Sequence, residues 1–311
     1  MEDKDKVQKK SIKQALFEIY DKKYKLLLVI PFLILFLSLA QIAYQINTTG
    51  DFIKKDVSLK GGITVTIPYE KQTDIKQLER QISDDFPNND VAVRSLKAAG
   101  ADIGIIFEAD IDKSQSDQFL SAIGKALDLD LGKVDYGIEI IGSSLGASFF
   151  KESLIALAIA FLFMGLVVFI YFRTFVPSIA VILAAFSDMI VALAVINILD
   201  IRIGTAGIAA FLMLIGYSVD TDILLTVRVL KRKEGTVMDR IISSMKTGMT
   251  MTLTAIISTI VALSVTQSEV IRQIMLILLI GLIADIFNTW IQNVGLLRIY
   301  AEKKAKKGIM I

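Results

Sequence analysis

The stretch GYSVDTDILL, residues 216–225, places two aspartates inside a segment that is otherwise apolar enough to cross a membrane. A carboxylate near the centre of a bilayer costs roughly 2.5–3.5 kcal/mol, so a helix that carries two of them needs a physical reason to do so. The rest of the chain favours a membrane setting, because 54% of its 311 residues are hydrophobic and its mean hydropathy is +0.60. These values are typical of a polytopic membrane protein and not of a soluble domain.

Composition also excludes several function classes. The chain has no cysteine and no histidine, which rules out disulfides, thiol nucleophiles, zinc sites and histidine-based catalysis. Its net charge of +2 is too balanced to suggest a nucleic-acid partner. No phosphate-binding loop is present, since LKGGITV at 59–65 is a lone glycine pair without the required context. We therefore expect no enzyme activity, no cofactor and no metal, and an ion gradient as the source of energy for any work.

Six segments reach the length of about 20 apolar residues that a membrane helix needs. Lysine and arginine concentrate on one side of them, with eight Lys in the N-terminal tail, six Lys/Arg after the fourth segment and five from Arg298 onward. The short loops on the other side hold one each, Arg202 and Arg272. This bias predicts cytoplasmic tails at 1–25 and 301–311 in the plasma membrane, with residues 45–150 outside. The predicted spans are 26–44, 153–172, 177–199, 205–228, 248–266 and 273–297, the last five lying within a membrane region at 151–300.

The polar block at 45–150 has an alternating order of strands and helices. Residues 56–69 alternate apolar and polar side chains, and residues 73–86 place Ile75, Leu78 and Ile82 on one helical face, with Thr73 or Asp74 as the cap. Two strands joined near Gly100, a helix and a last strand follow at 91–109, 112–129 and 133–142. The order β-α-β-β-α-β predicts a ferredoxin-like α+β domain between the first and second of six membrane helices.

Four acidic residues lie inside predicted spans at similar depth: Asp188 in the third, Asp220 and Asp222 in the fourth, and Asp285 in the sixth. Burial disfavours the charged form of a carboxyl group, which suits a residue that binds and releases a proton, and ionisable residues in membranes are candidates for function. The alternative is that the acids hydrogen-bond neighbouring side chains and only hold helices together. Asp220 and Asp222 point about 200° apart on a helix, so they cannot share a site. We expect one of them to face the interior of the bundle and the other to face a partner helix or a second subunit.

No span contains a central cation that could pair with these acids. Arg228 and Lys246 lie at cytoplasmic ends of spans, where long side chains reach the membrane surface. Lys246 could instead point inward, although a surface position is favoured. Small residues in the fourth span predict close helix packing, and the threonines of the fifth span offer hydroxyls that bridge helices or line a wet path. The small residues are Gly204, Gly207, Ala210 and Gly216.

Three segments carry a resemblance to a known family: GIEIIGSSLGASF at 137–149, SDMI at 187–190 and GYSVDTDILLTVRVLK at 216–231. Together with the order of spans and outer domain, they resemble SecF, the smaller subunit of the SecDF protein-export complex, within the broader RND permease architecture. The most specific match is Gly216, Tyr217 and Ser218 followed by acids and Arg228. The resemblance implies a SecD-like partner subunit, contact with the Sec channel and the exported preprotein, and use of the proton gradient.

The chain departs from the bacterial pattern G-Y-S-x-N-D-[ST]. Asp220 takes the asparagine position, Thr221 the aspartate position and Asp222 the Ser/Thr position. Lys246 stands where bacterial members have arginine. The resemblance therefore implies an archaeal-type member in which the proton-coupling acid is displaced by one residue in either direction or replaced by both neighbours.

We weigh three functions. The first is an accessory subunit of Sec-dependent protein export that couples the proton gradient to translocation together with a SecD-like protein. The second is half of an RND-type small-molecule exporter, although an outer block of about 105 residues holds only one compact unit. The third is a membrane scaffold without energy coupling.

Overall fold

The computed structural model describes residues 20–71, 73–98, 101–232 and 234–306. Residues 1–19 of the predicted tail at 1–25, residues 307–311 of the predicted tail at 301–311, and the predicted turn at Gly100 lie outside the described residues. In chain order the elements are α1 (Val29–Thr49), β1 (Gly62–Pro68), α2 (Ile75–Asp85), β2 (Val91–Ala98), β3 (Ala101–Ala109), α3 (Ser116–Leu127), β4 (Gly137–Ile141), α4 (Ser143–Phe172), α5 (Phe175–Ile198), α6 (Thr205–Lys231), α7 (Val237–Val265), α8 (Glu269–Phe287) and α9 (Val294–Lys306). A π-helix at Asn288–Asn293 joins α8 to α9.

Six of the helical stretches are long and apolar enough to cross a membrane, which confirms the predicted number of spans. They are α1 with the short helix Tyr24–Leu27 before it, α4, α5, α6, α7, and the continuous run Glu269–Lys306 formed by α8, the π-helix and α9. Several helices extend beyond the apolar segments. The second span, α4, begins at Ser143 and not near residue 153, because hydropathy marks only the part of a helix that lies in lipid.

The centre of the bundle is formed by α5, α6 and the span that contains α8, which bury a larger share of their residues than α4 and α7. Glycine allows these central helices to approach closely. A Cβ atom on Gly207 of α6 would lie 2.6 Å from Ile203 and 3.0 Å from Ile277 of α8. For Gly216 the prediction of close packing is wrong within this chain, because no atom of the described residues lies within 4 Å of the position its Cβ would take.

The domain between α1 and α4, which is predicted to lie outside and is called the outer domain below, contains a four-stranded sheet in the order β2-β3-β1-β4. Every neighbouring pair of strands is antiparallel. In the register of the two central strands, Val65 of β1 lies opposite Phe107 of β3. Both are fully buried, and α2 and α3 cover them through Ile82 and Phe119. This topology is consistent with the predicted ferredoxin-like arrangement.

The predicted strand at 56–69 is wrong in its first part. Val57–Lys60 forms one helical turn, since the Asp56 carboxylate accepts a hydrogen bond from the Ser58 backbone N–H at 2.8 Å and caps that turn. Gly61 and Gly62 follow with φ values of +86° and +133°, which glycine adopts readily, and the strand starts only there. For α2, the structure selects Asp74 as the cap, with bonds from the backbone N–H groups of Lys76 and Gln77.

Candidate functional site

Three of the four predicted acids meet in the interior of the bundle. Asp188 on α5, Asp222 on α6 and Asp285 on α8 are exposed by 1% or less. Each accepts hydrogen bonds from side chains on a neighbouring helix, and the same short segment of the last span contacts all three. Asp220 is excluded from this group, because it lies on the exposed side of α6.

Asp188 has a separate donor for each of its oxygens. Its Oδ2 accepts from the Ser218 hydroxyl of α6 at 2.5 Å, and its Oδ1 accepts from the Asn288 amide at 2.7 Å. Both donors are themselves almost fully buried. This carboxyl group therefore connects α5 with both α6 and the last span.

Asp222 and Asp285 are linked through one hydroxyl group. The Thr289 oxygen lies 3.0 Å from Asp222 Oδ1 and 2.9 Å from Asp285 Oδ1. Asp222 Oδ1 also accepts from the Asn293 amide at 2.7 Å, whereas Asp222 Oδ2 has no partner among the described residues. Asp285 additionally contacts the Thr221 hydroxyl at 3.3 and 3.4 Å.

The π-helix explains how one segment reaches all three acids. A π-helix has a wider turn than an α-helix and often occurs at functional sites. Here Thr289 and Asn293 follow Asp285 toward α6, while Asn288 contacts Asp188 and Gln292 contacts the Ser187 hydroxyl on α5. We did not predict these polar residues from the sequence. The available signal was the run NTWIQN at 288–293, which places three side-chain amides and one hydroxyl within an otherwise apolar span.

The acid cluster, defined as Asp188, Asp222 and Asp285, has no cationic partner within 4.0 Å in the part of the chain that the structure describes. Because they contact the same hydroxyl oxygen, the Asp222 and Asp285 oxygens lie at most about 6 Å apart, where two unit charges repel by roughly 3 kcal/mol at an effective dielectric constant of about 20. A state with both carboxyl groups ionised is disfavoured. The arrangement is suited to binding a proton between them.

Two of the predicted supporting residues, Arg228 and Lys246, lie away from the acid cluster. The Arg228 guanidinium donates to the Ser243 carbonyl at 2.7 Å and so contacts the start of α7 and not the acids. Lys246 is exposed, in agreement with the favoured surface position. The exposed hydroxyls of Thr250 and Thr254 donate to carbonyl oxygens of their own helix, so they do not bridge helices within the described residues.

Asp220 shares the exposed side of α6 with Gly216 and Tyr217, the latter 46% exposed. Beside it, α6, α7 and α8 enclose a groove of about 670 Å³. Tyr217, Thr250 and Thr254 contribute polar groups to its lining. We call this surface, with Asp220 and Lys246, the α6–α7 face. Of the supporting residues, only Ser218 contacts the acid cluster.

Charged contacts join the outer domain to the membrane helices. The Arg202 guanidinium, just before α6, binds both oxygens of Asp90 at 2.8 and 2.7 Å, and Lys60 also contacts Asp90. Burial opposes ionisation of Asp90, but the bonds and charges of Arg202 and Lys60 outweigh it and hold the Asp90 pKa below its ordinary value.

A second group of contacts involves the start of α8. Arg94 of β2 pairs with the buried Glu108 and, at 2.9 Å, with Glu269. Burial raises the pKa of Glu108 despite the opposing charge of Arg94. The Arg272 guanidinium donates to the Lys97 carbonyl of β2. The helix that carries Asp285 is therefore bonded directly to the sheet of the outer domain.

The described residues form a bundle of six membrane helices with a small α+β domain inserted after the first, and the three buried acids of this part of the chain have no cation beside them. This combination is typical of the class of ion-coupled membrane transport proteins. A family comparison agrees with this class, because the family of protein export membrane proteins SecD/SecF, C-terminal, matches residues 124–303. Relatives named protein-export membrane protein SecF cover nearly the whole chain. The one from Methanocaldococcus jannaschii is 38% identical over 92% of this chain and 99% of its own length, and the one from Pyrococcus furiosus is 35% identical over 95% and 97%.

The chain belongs to the SecF family of protein-export membrane proteins, and the predicted family and role in protein export are confirmed. A crystal structure of SecDF, a translocon-associated membrane protein from Thermus thermophilus, has a similar fold, with a TM-score of 0.70 at 15% identity. The match covers 93% of this chain and 42% of that longer chain.

Proposed function

We propose that this chain couples a proton gradient to protein export, and that it does so as one half of a complex with a SecD-like subunit. The observation that carries the proposal is the acid cluster: three buried carboxyl groups on three helices, held by neutral donors without a cation. Gain or loss of a proton there changes the charge of the bundle centre, which changes the relative stability of its helix arrangements.

The outer domain provides a route from that change to the exported chain. The last span carries Asp285 near its middle and contacts β2 at its outer end through Glu269 and Arg272. A shift of this helix would therefore be transmitted to the sheet. We propose that the outer domain lies outside the cell, that both termini are cytoplasmic, and that the preprotein and the Sec channel contact this outer surface.

The test replaces each acid by asparagine, which keeps its shape but cannot ionise, and measures preprotein export into membrane vesicles with and without an imposed proton gradient. Asp188→Asn, Asp222→Asn and Asp285→Asn should lose the stimulation by the gradient while keeping export without it. Repeating the assay with a sodium gradient identifies the coupling ion. Gradient stimulation that persists in all three variants would rule the proposal out.

We further propose that the α6–α7 face binds the SecD-like subunit. Asp220 and Lys246 are charged residues on an exposed side of the membrane bundle, and such residues are costly against lipid unless another protein covers them. Co-purification of the partner with Asp220→Leu and Lys246→Leu variants tests this. Undiminished recovery of the partner with both variants would contradict it.

A scaffold without energy coupling has one observation in its favour, because every member of the acid cluster is hydrogen-bonded to a neighbouring helix. Such bonds lock helices together in membranes. Asparagine would preserve much of this bonding, so the scaffold predicts full gradient stimulation in the three variants. A small-molecule exporter has no support from the relatives, all of which are named as protein-export proteins.

A further inference from the structure

The Thr289 hydroxyl has more hydrogen-bond contacts to carboxyl oxygens than it has hydrogens. A threonine hydroxyl carries one hydrogen and can accept through its lone pairs. It lies at hydrogen-bond distance from Asp222 Oδ1 and from Asp285 Oδ1, at 3.0 and 2.9 Å. It can donate to only one of them. The other contact is a hydrogen bond only when that carboxyl group is protonated and donates to the threonine.

The remaining donors do not resolve this shortage. Asp222 has the Asn293 amide as a second donor at 2.7 Å. Asp285 also contacts the Thr221 hydroxyl, whose one hydrogen is within reach of the Ser218 carbonyl at 2.9 Å, a shorter contact than the 3.3 Å to Asp285. The nearby Ser218 hydroxyl donates its one hydrogen to Asp188. The two carboxyl groups together therefore lack one donor, and one bound proton on the pair supplies it.

We propose that Asp222 and Asp285 share one proton through the Thr289 hydroxyl, which passes it between α6 and α8. This inference rests on the proposed function. In the transfer, the O–H bond of the protonated Asp285 breaks as its proton binds the threonine oxygen. The threonine's original O–H bond breaks at the same time, and that proton binds Asp222. Asp285 becomes the carboxylate, Asp222 the acid, and the threonine is unchanged. The Asp222 Oδ2 atom has no hydrogen-bond partner among the described residues.

No other titratable group contacts this pair in the described part of the chain. From α5, Asp188 lies in the same cluster, but each of its oxygens has its own donor, so it needs no shared proton. From α6, Arg228 is bonded to the start of α7. From α7, Lys246 is exposed. Helix α1 contains no charged residue, and the charged residues of α4, Lys151 and Glu152, are exposed near its start.

Substitution of Thr289 tests the relay. Thr289→Val removes the hydroxyl at nearly constant volume, Thr289→Ala removes it without added bulk, and Thr289→Ser keeps it. Ser178→Ala is the control, because Ser178 is also fully buried in a membrane helix but its hydroxyl donates to the Thr174 carbonyl. We expect Thr289→Val and Thr289→Ala to lose gradient-stimulated export in membrane vesicles, and Thr289→Ser and Ser178→Ala to keep it.

A second measurement separates a relay from a packing role. The full chain in lipid bilayers should show the infrared carbonyl band of a protonated carboxylic acid. We expect this band to shift in Thr289→Val, to remain in Thr289→Ser and to vanish when Asp222 and Asp285 are both asparagine. Full stimulation in both hydroxyl-free variants, or a band that Thr289→Val leaves unchanged, would overturn the relay. If the aspartate variants keep their stimulation, the proposed coupling fails, and the band alone still decides whether the proton is shared.

Discussion

The two sides of helix α6 carry similar residues but differ in burial and in hydrogen bonding. On the buried side, Ser218 and Asp222 are almost fully enclosed, and both take part in the hydrogen bonds of the acid cluster. On the exposed side, Tyr217 and Asp220 have no hydrogen-bonded partner within the described residues, and Gly216 faces open space. Asp220 and Asp222 are only two positions apart.

This difference shows that a charged residue in a membrane helix can serve two purposes, and that its surroundings reveal which. An acid enclosed by neutral donors within one chain can change its ionisation without separating from a cation. An acid on an exposed membrane surface needs cover from outside the chain. We therefore propose that the buried side serves proton binding and the exposed side serves assembly.

The largest expected effect comes from replacing Asp222 or Asp220 by leucine. The change in the free energy of unfolding should have opposite signs in the two variants. Asp222→Leu strands the Asn293 amide and the Thr289 hydroxyl, and a buried donor without an acceptor costs about 1–3 kcal/mol. Asp220→Leu removes a charge from a surface that faces lipid in the isolated chain, which should stabilise it by roughly 2.5–3.5 kcal/mol. Thermal unfolding of the purified chain in lipid bilayers measures both.

Two results would contradict this prediction. Equal destabilisation by both variants would place Asp220 in a bonding network, and stabilisation by both would mean that Asp222 does not hold the cluster together. Adding the SecD-like subunit sharpens the comparison, because the advantage of Asp220→Leu should then shrink.

Glycine replacement gives a smaller contrast on the same helix. An alanine Cβ at Gly207 would contact Ile203 and Ile277 at 2.6 and 3.0 Å, so we expect Gly207→Ala to destabilise the chain by about 1–3 kcal/mol. At Gly216 there is space for the methyl group, and alanine favours a helix interior over glycine by about 1 kcal/mol. Gly216→Ala should therefore raise the unfolding temperature in the same assay. A loss of stability at Gly216 would show that this side is packed.

The sequence was sufficient to predict the six spans, because they follow from the length of the apolar segments. It also predicted the two sides of α6, because residues two positions apart on a helix point about 200° from each other. It also placed Asp188, Asp222 and Asp285 at similar depth, since depth follows from counting residues along each helix. It could not decide which of Asp220 and Asp222 faces inward, because that depends on the rotation of α6 against α5 and α8. The helical turn at Val57–Lys60 was missed for a local reason, as the alternating pattern hid the Asp56 cap.

A search for charged residues could not identify Thr289 and Asn293, because these hydrogen-bond partners of the acids are uncharged. Their roles depend on the π-helix, whose wider turn is not visible in hydropathy. A count of neutral polar residues within each span would have directed attention to residues 288–293.

The smallest expected effect concerns Asp90, which pairs with Lys60 and with Arg202, just before the start of α6. Arg202→Gln removes the paired bonds to Asp90, and because Asp90 is half exposed we expect a loss of only about 1 kcal/mol at neutral pH. The Asp90 pKa is lowered in the folded chain, so the stabilisation is complete above the ordinary value of 3.8 and disappears as the pH falls through the lower folded value. The difference in unfolding temperature between wild type and Arg202→Gln should vanish in strong acid. Arg272→Gln is the control, because its lost partner is the Lys97 carbonyl, which does not titrate, and its effect should persist there. An Arg202→Gln effect that is independent of pH would mean that Arg202 stabilises this end of the helix by packing and not by pairing with the acid.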